Sequence, residues 1–462
     1  SAAGARAFVG GFGVTMAYGR SRHPGPDYYP VRATHDRRAM DIPSRVKTWL
    51  GRRLLARAQR SNVDLTKLPM VPDSLIMPLQ RNGLDPVPAL AEMREAAPVT
   101  KLTRLFGMNV WVVTGHEATR TVLANTSDFS NDIRPLVGGS QESSDQYIGG
   151  LGFTDPPEHT RLRKILTPEF TMRRLDRLKP TIKRIVDTQL DVLEANGPVV
   201  DLVEHFAAPI PFLVICELLG LPDEDRAGFQ ALGHARFDVS GGGIGTLGAV
   251  SESREFLLEA VRKQKRNPGD GLLGKLVEER GTDLDELDLA GLADGVFTGG
   301  FETSASMIAL GALALLQKPE SFALLRDNDD SVDSVVEELL RYLAVVQISF
   351  PRFAKQDMVL YGNKITAGDV VVCSLSGANR DGSLGDAMDD FDPLRPPVAH
   401  FAFGLGFHRC IGAELAKMEL RSAYPALVRR FPRMSLAVDP ATLTFRKLSI
   451  VYGVEALPVH LG

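Results

Sequence analysis

Between residues 287 and 317 apolar side chains fill almost every position, with Asp288, Asp294, Glu302 and a few uncharged polar residues as the breaks. A run of that length and uniformity predicts one long helix buried on all sides rather than an amphipathic surface helix. Apolar positions at helical spacing predict further helices over residues 172–196, 206–219 and 254–265, and a shorter one over 88–96 opened by Pro88. Alternation of apolar and polar residues takes over in two places. Residues 101–114 predict a hairpin turning near Gly107, and residues 358–361, a Gly362-Asn363 turn and residues 369–372 predict a second β-rich section. The expected class is mainly α with small β-sheets at the flanks, an α+β arrangement around a long central helix. No internal repeat or low-complexity segment interrupts it.

Residues 1–72 stand apart as an N-terminal extension of a main body spanning 73–462. They carry Pro24, Pro26, Pro30 and a basic stretch over residues 45–57, which predicts a helix with an apolar stripe and a basic face. That helix is open to two readings: a solvated helix packed on the body, or a docking element for a membrane or partner. The glycine-rich stretch 7–12 lacks a basic leader and does not predict a signal peptide.

Composition narrows the class. With 44% hydrophobic and 24% charged residues, the chain falls among ordinary globular proteins and outside the disordered and collagen-like ones. A net charge of -4 gives no global attraction to nucleic acid or to an anionic membrane. No stretch of about eighteen uncharged apolar residues occurs, so no integral membrane segment is expected. Three widely spaced cysteines, Cys216, Cys373 and Cys410, with no C-x-x-C pair, argue against a zinc knuckle or disulfide framework and suit a reducing cytoplasm. The glycines at 241–243 and 245 have neither the preceding strand nor the acidic partner of a dinucleotide fold.

The candidate chemistry gathers around one of the cysteines. Phe403-Gly404-Leu405-Gly406-Phe407-His408-Arg409-Cys410-Ile411-Gly412 is a glycine-jointed loop that delivers Cys410 to the start of a helix-forming run. Gly404 and Gly406 permit tight turns, and free N–H groups at the helix start favour thiolate over thiol. In the long helix, Gly291, Gly295, Gly299 and Thr303 recur every four residues and so share one face. Two explanations stay open for that face: close helix packing, or room for a bound group. Glu302 places a carboxylate in the same buried helix, at an energetic cost that something must offset. The E-x-x-R spacing puts a carboxylate and a guanidinium on one helix face at Glu338 and Arg341, and again at Glu158 and Arg161.

Taken in order along the chain, these features resemble the cytochrome P450 superfamily, soluble bacterial type, over nearly everything from about residue 73 onward. Phe403, Gly404, Gly406, Arg409, Cys410 and Gly412 match its cysteine-ligand loop, and Gly299-Gly300-Phe301-Glu302-Thr303 matches its oxygen-activation motif. The resemblance implies haem b held through Cys410, with O2 as co-substrate and Glu302 and Thr303 handling protons. It further implies that His159, Arg163, Arg352, His400 and Arg409 hold the haem carboxylates. Glu338, Arg341 and Arg395 would lock the backbone beneath the cysteine loop.

Val296, Phe297, Val346, Gln347 and Ile348, with segments 131–150 and 223–249, would shape a pocket for a hydrophobic small molecule, and the glycines near 241 would supply a mobile lid. Hydroxylation or epoxidation would draw electrons from a ferredoxin or flavodoxin with an NAD(P)H-dependent reductase. Arg163, Arg409 and Lys417 would attract that partner. A peroxygenase, or a haem-based sensor without turnover, is the alternative.

Overall fold

The computed structural model describes residues 28–30, 72–105, 107–132, 150–237, 244–281, 283–447 and 449–462. The basic stretch at 45–57, the glycines at 241–243 and most of the 131–150 segment lie outside these.

The long helix spans Glu286–Leu316, with the Asp285 carboxylate accepting from the Asp288 N–H at 2.7 Å to cap its start. Its 31 residues cover roughly 46 Å at 1.5 Å each. Helices Pro209–Leu219, Ile244–Arg266, Pro319–Asp327, Val332–Leu343 and Ala413–Arg430 pack around it. Its C-terminal half, from Met307 to Leu315, shares a core with Ile185, Leu190, Leu339 and Leu427, and its N-terminal half shares another with Phe212, Ile215, Phe229 and Leu257. Burying each such side chain contributes about 1.5–3 kcal/mol, so the helix is held by tertiary packing rather than by propensity. Packing is closest at Gly311, where a Cβ would sit 2.0 Å from Tyr424 Oη. Among the described residues this is the one helix long and apolar enough to cross a membrane, and it lies mostly buried inside the body.

Two expected helices are divided. The 172–196 run breaks into Met172–Leu175, a 3₁₀ turn at Asp176–Leu178 and Lys179–Ala195. Pro180 has no N–H for the preceding turn, so the chain starts a new helix there. The 206–219 run likewise resolves into a π-helical turn, Val203–Ala207, followed by Pro209–Leu219, which ends at Gly220 in the left-handed region.

A five-stranded sheet runs in the order Val99–Leu105, Met108–Val113, Val370–Cys373, Arg352–Ala354, Phe129–Ser130. Val370–Cys373 lies parallel to Met108–Val113, and the other pairs are antiparallel. The first hairpin turns at Gly107 as expected, with φ +86°. In the Met358–Leu360/Asn363–Ile365 hairpin the two-residue turn is Tyr361-Gly362, one position earlier than expected, both residues having positive φ. Tyr28–Pro30 adds a strand to that hairpin. Arg352, at the start of its strand, thereby reaches the interior.

Candidate functional site

The cysteine loop is tied at both ends. The Phe401 N–H donates to Asn379 Oδ1 at 2.7 Å, Gly404 N–H to Phe401 O at 2.8 Å, and Cys410 N–H to Phe403 O at 2.9 Å. Gly406 answers two demands at once: its φ is +70°, and a Cβ there would lie 3.0 Å from Leu123 O. Cys410 then leads into helix Ala413–Arg430 and is the one cysteine of the three that stays accessible. Cys216 and Cys373 are buried, and burial pushes both thiols up to about 12. Although the residue as a whole is exposed, burial of its sulfur within the loop raises the Cys410 thiol, while the Gly412 N–H, Arg163 and Arg409 act to lower it. The Gly412 N–H acts in the expected direction, toward thiolate, but burial works against it; a coordinated metal would supply further positive charge.

Beside this loop sits a cluster of donors with nothing to bind. His159, on helix Glu158–Leu166, is fully buried, and neither ring nitrogen has a hydrogen-bond partner among the described residues; Arg352 Nη1 is buried and equally unpartnered. Burial, reinforced by the Arg163 charge, drives His159 down to about 4, and burial with His159 and Arg352 drives His408 down to about 3. The His159 and His408 rings lie 4.2 Å apart. Asp155 is the acid in this field, and its carboxylate already accepts from Ser130 Oγ and the Asn131 N–H. Helix Glu158–Leu166 starts without a side-chain cap because its N-cap position is Pro157, which has no side-chain acceptor.

The open face of the central helix lies at Gly291, Gly295 and Gly299, where an added Cβ would meet no described atom within 4 Å. Among the described residues, close packing is therefore not what these glycines serve. Gly300 does face a neighbour, since its Cβ would lie 2.9 Å from Ile215 Cδ1. Thr303 shares the open face and donates its hydroxyl to Gly299 O at 2.7 Å. Glu302 turns elsewhere: its carboxylate accepts from Arg446 Nη1 at 2.7 Å, and burial raises it to about 7 against the pull of that cation.

Glu338, Arg341 and Arg395 come together as one buried knot. Arg341 Nε and Nη2 donate to the two Glu338 oxygens at 2.7 Å, and Arg395 Nε reaches Glu338 Oε1 at 3.3 Å. The remaining Arg341 donors reach the carbonyls of Asn379, Met388 and Asp390. Asn379 also holds Phe401, so the knot bears directly on the cysteine loop. The second E-x-x-R pair, Glu158 and Arg161, is a solvent-exposed bridge.

Other expected residues are placed less uniformly. Val346, Ile348 and Phe350 share the accessible side of their extended segment, while Gln347 is buried and spends its amide on Leu79 O, Ser449 O and Arg81. Phe297 is taken into the core, stacked on Phe301 and against Phe229, whereas Val296 is only partly buried. His400 lies against Glu337 at 3.2 Å, apart from the donor cluster, and Lys417 binds the same carboxylate at 2.6 Å. Burial alone would raise Glu337, but those two hydrogen bonds bring it down to about 2. Arg409 is exposed, 3.8 Å from Glu414. His408, Phe350 and Arg446 were not singled out from sequence. The first two had local signals: a histidine two before the cysteine, and a period-two face.

A family model described as Cytochrome P450 matches residues 246–448. Cytochrome P450 FAS1 of Rhodococcoides fascians is 40% identical over 391 residues, covering 83% of this chain and 98% of that protein. Cytochrome P450 165B3 of Amycolatopsis orientalis is 38% identical over 390 residues, covering 82% and 97%. The crystal structure of hybrid P450 OxyBtei(BC/FGvan) superposes with a TM-score of 0.75 at 40% identity, covering 83% of this chain and 99% of that one. The fold and these matches define a haem-thiolate monooxygenase. The chain belongs to the cytochrome P450 family and uses haem and dioxygen.

The residues present fit that cofactor. A haem carries two carboxylates, and the unpartnered nitrogens of His159 and Arg352 are the donors such groups require. The open glycine face offers space, and among the described residues no cluster of His, Cys, Asp and Glu could hold a metal by itself.

Proposed function

We propose that Cys410 is the iron ligand and that His159, Arg163, Arg352 and Arg409, joined by His408, hold the carboxylates of haem b. The observation that carries this reading is the set of buried donors without acceptors at His159 and Arg352. Bound haem would supply the activation of dioxygen by two electrons. The chain's own residues do the rest. Phe403, Gly404 and Gly412 shape the loop around the sulfur, and Gly300 lets the central helix approach Ile215 so that Gly299 and Thr303 face open space. His400 supports the loop from outside through Glu337.

Glu302 and Thr303 are proposed to carry and place protons, a task suited to a carboxyl poised near 7. A peroxygenase has no need of such a pair. Val296, Val346 and Ile348, continued by Phe350, present an apolar face to a hydrophobic small molecule that is hydroxylated or epoxidised, while Phe297 and Gln347 support that face from behind. Electrons would come from a ferredoxin or flavodoxin, reduced by an NAD(P)H-dependent reductase and docking near exposed Arg409. The catalytic body is residues 73–462, with a cytoplasmic location.

Turnover under ¹⁸O2 with such a reductase system tests the reading. One labelled oxygen in the product is expected; an unlabelled product, or turnover supported only by added peroxide, would contradict it.

A further inference from the structure

Glu302 and Thr303 are neighbours in sequence but face different sides of the central helix. Thr303 shares the open face with Gly299, whereas Glu302 and Ser306, four apart, both turn toward the C-terminal segment and both lie within reach of Arg446 Nη1, at 2.7 and 3.3 Å. That segment is built to deliver the guanidinium. The Arg446 N–H donates to Gly453 O at 2.8 Å, Glu455 N–H to Thr444 O at 2.9 Å, and Phe445 bridges Val454, with the Phe445 and Tyr452 rings stacked at 5.4 Å. Gly453 leaves the space the cation occupies: a Cβ there would lie 3.2 Å from Arg446 Nη1 and 2.8 Å from Ser306 Oγ. The same segment is anchored to the apolar face of the pocket, since Val451 bridges Val346 and the Tyr452 N–H donates to Val345 O at 2.8 Å.

We propose that Arg446 is a positioning residue for Glu302, holding its carboxylate on the far side of the helix from Thr303 and favouring its charged form while the pair is closed. The inference rests on the reading of Glu302 as a proton carrier for its consequence in turnover, but the pairing can be tested without turnover. Among the described residues, the charged groups facing Glu302 are few. Arg446 stabilises its anion and Glu455, on the same segment, opposes it; on its own helix it has Ser306. Buried Glu419, on the helix that follows Cys410, joins the central helix through Ser304. An opposite charge at this distance lowers a carboxyl pKa by about 1–3 units. In its ionised form Glu302 is held by Arg446 and points away from the open face; a proton taken up by its carboxyl weakens the pair and frees the side chain to swing.

The test is an infrared titration of the carboxyl C=O band in the ferric holoenzyme without substrate, the band being assigned by its loss in Glu302→Gln. Arg446→Met should raise the Glu302 midpoint by about 1–3 pH units, and Arg446→Lys should restore most of the shift. Gly453→Ala, which crowds the guanidinium without removing it, should move the midpoint in the same direction by less, and serves if Arg446→Met fails to fold. An assigned midpoint unmoved in both Arg446→Met and Gly453→Ala would overturn the inference. Glu302→Gln turning over with unchanged coupling of electrons to product would instead remove the proton-carrier reading.

Discussion

Arg341 and Arg352 are both guanidinium groups sunk in the body, 1% and 4% exposed, and their surroundings differ in kind. Around Arg341 five N–H donors meet five acceptors: two carboxylate oxygens and three backbone carbonyls. Around Arg352 and His159, three buried nitrogens have no hydrogen-bond partner among the described residues. A saturated buried cation is a structural tie, because each donor is repaid for the water it lost. An unsaturated cluster costs stability unless something arrives to complete it. The contrast separates what holds this fold together from what the fold is prepared to bind.

The largest effect should come from breaking the saturated side. Arg341→Met strands Glu338 and three carbonyls in the interior and should cost about 3–5 kcal/mol, read as a lowered denaturation midpoint. On the unsaturated side the outcome inverts. Arg352→Met and His159→Phe remove donors that have no partner among the described residues without emptying the space they fill, so the apoprotein should keep its stability, while each should weaken haem binding roughly ten- to a hundredfold in a titration. Equal losses of apoprotein stability on both sides would erase the comparison.

A smaller, pH-dependent effect sharpens it. His159 is held at about 4, below its ordinary value, so the unfolded chain takes up its proton first as the medium is acidified. Its contribution to apoprotein stability is therefore intact above about 6.5 and is lost as pH falls toward 4. His159→Gln should flatten that slope in denaturation midpoints measured across this window, and haem, by bringing carboxylates to the ring, should flatten it too. The smallest effect belongs to the exposed pair: Glu158→Ala should leave the denaturation midpoint unchanged within error.

Legibility in the sequence follows the range of the interactions. Helices and turns set by local chemistry were readable: Pro88 opens its helix, Gly107 makes its turn, and an unbroken apolar run becomes the central helix. The same uniformity hid which side chains turn into the core, so Phe297 was read as pocket lining and is core. Glu338-Arg341 and Glu158-Arg161 are identical in spacing; only position along the chain, weighed through a family resemblance, told the buried knot from the surface pair. His400 and His408 illustrate the reverse, since the cysteine loop folds back and brings His408, not His400, against His159. Arg446 was unreadable because its partner lies 144 residues away and an arginine in an irregular C-terminal segment carries no local signal.

The most direct test of the account is the absorption spectrum of the dithionite-reduced protein under carbon monoxide, recorded beside Cys410→Ala. A strongly red-shifted Soret band that disappears in the variant is the predicted result, since the thiolate of Cys410 is what shifts it. A band unchanged by the substitution, or a protein that takes up no haem, would contradict the assignment of Cys410 as the iron ligand.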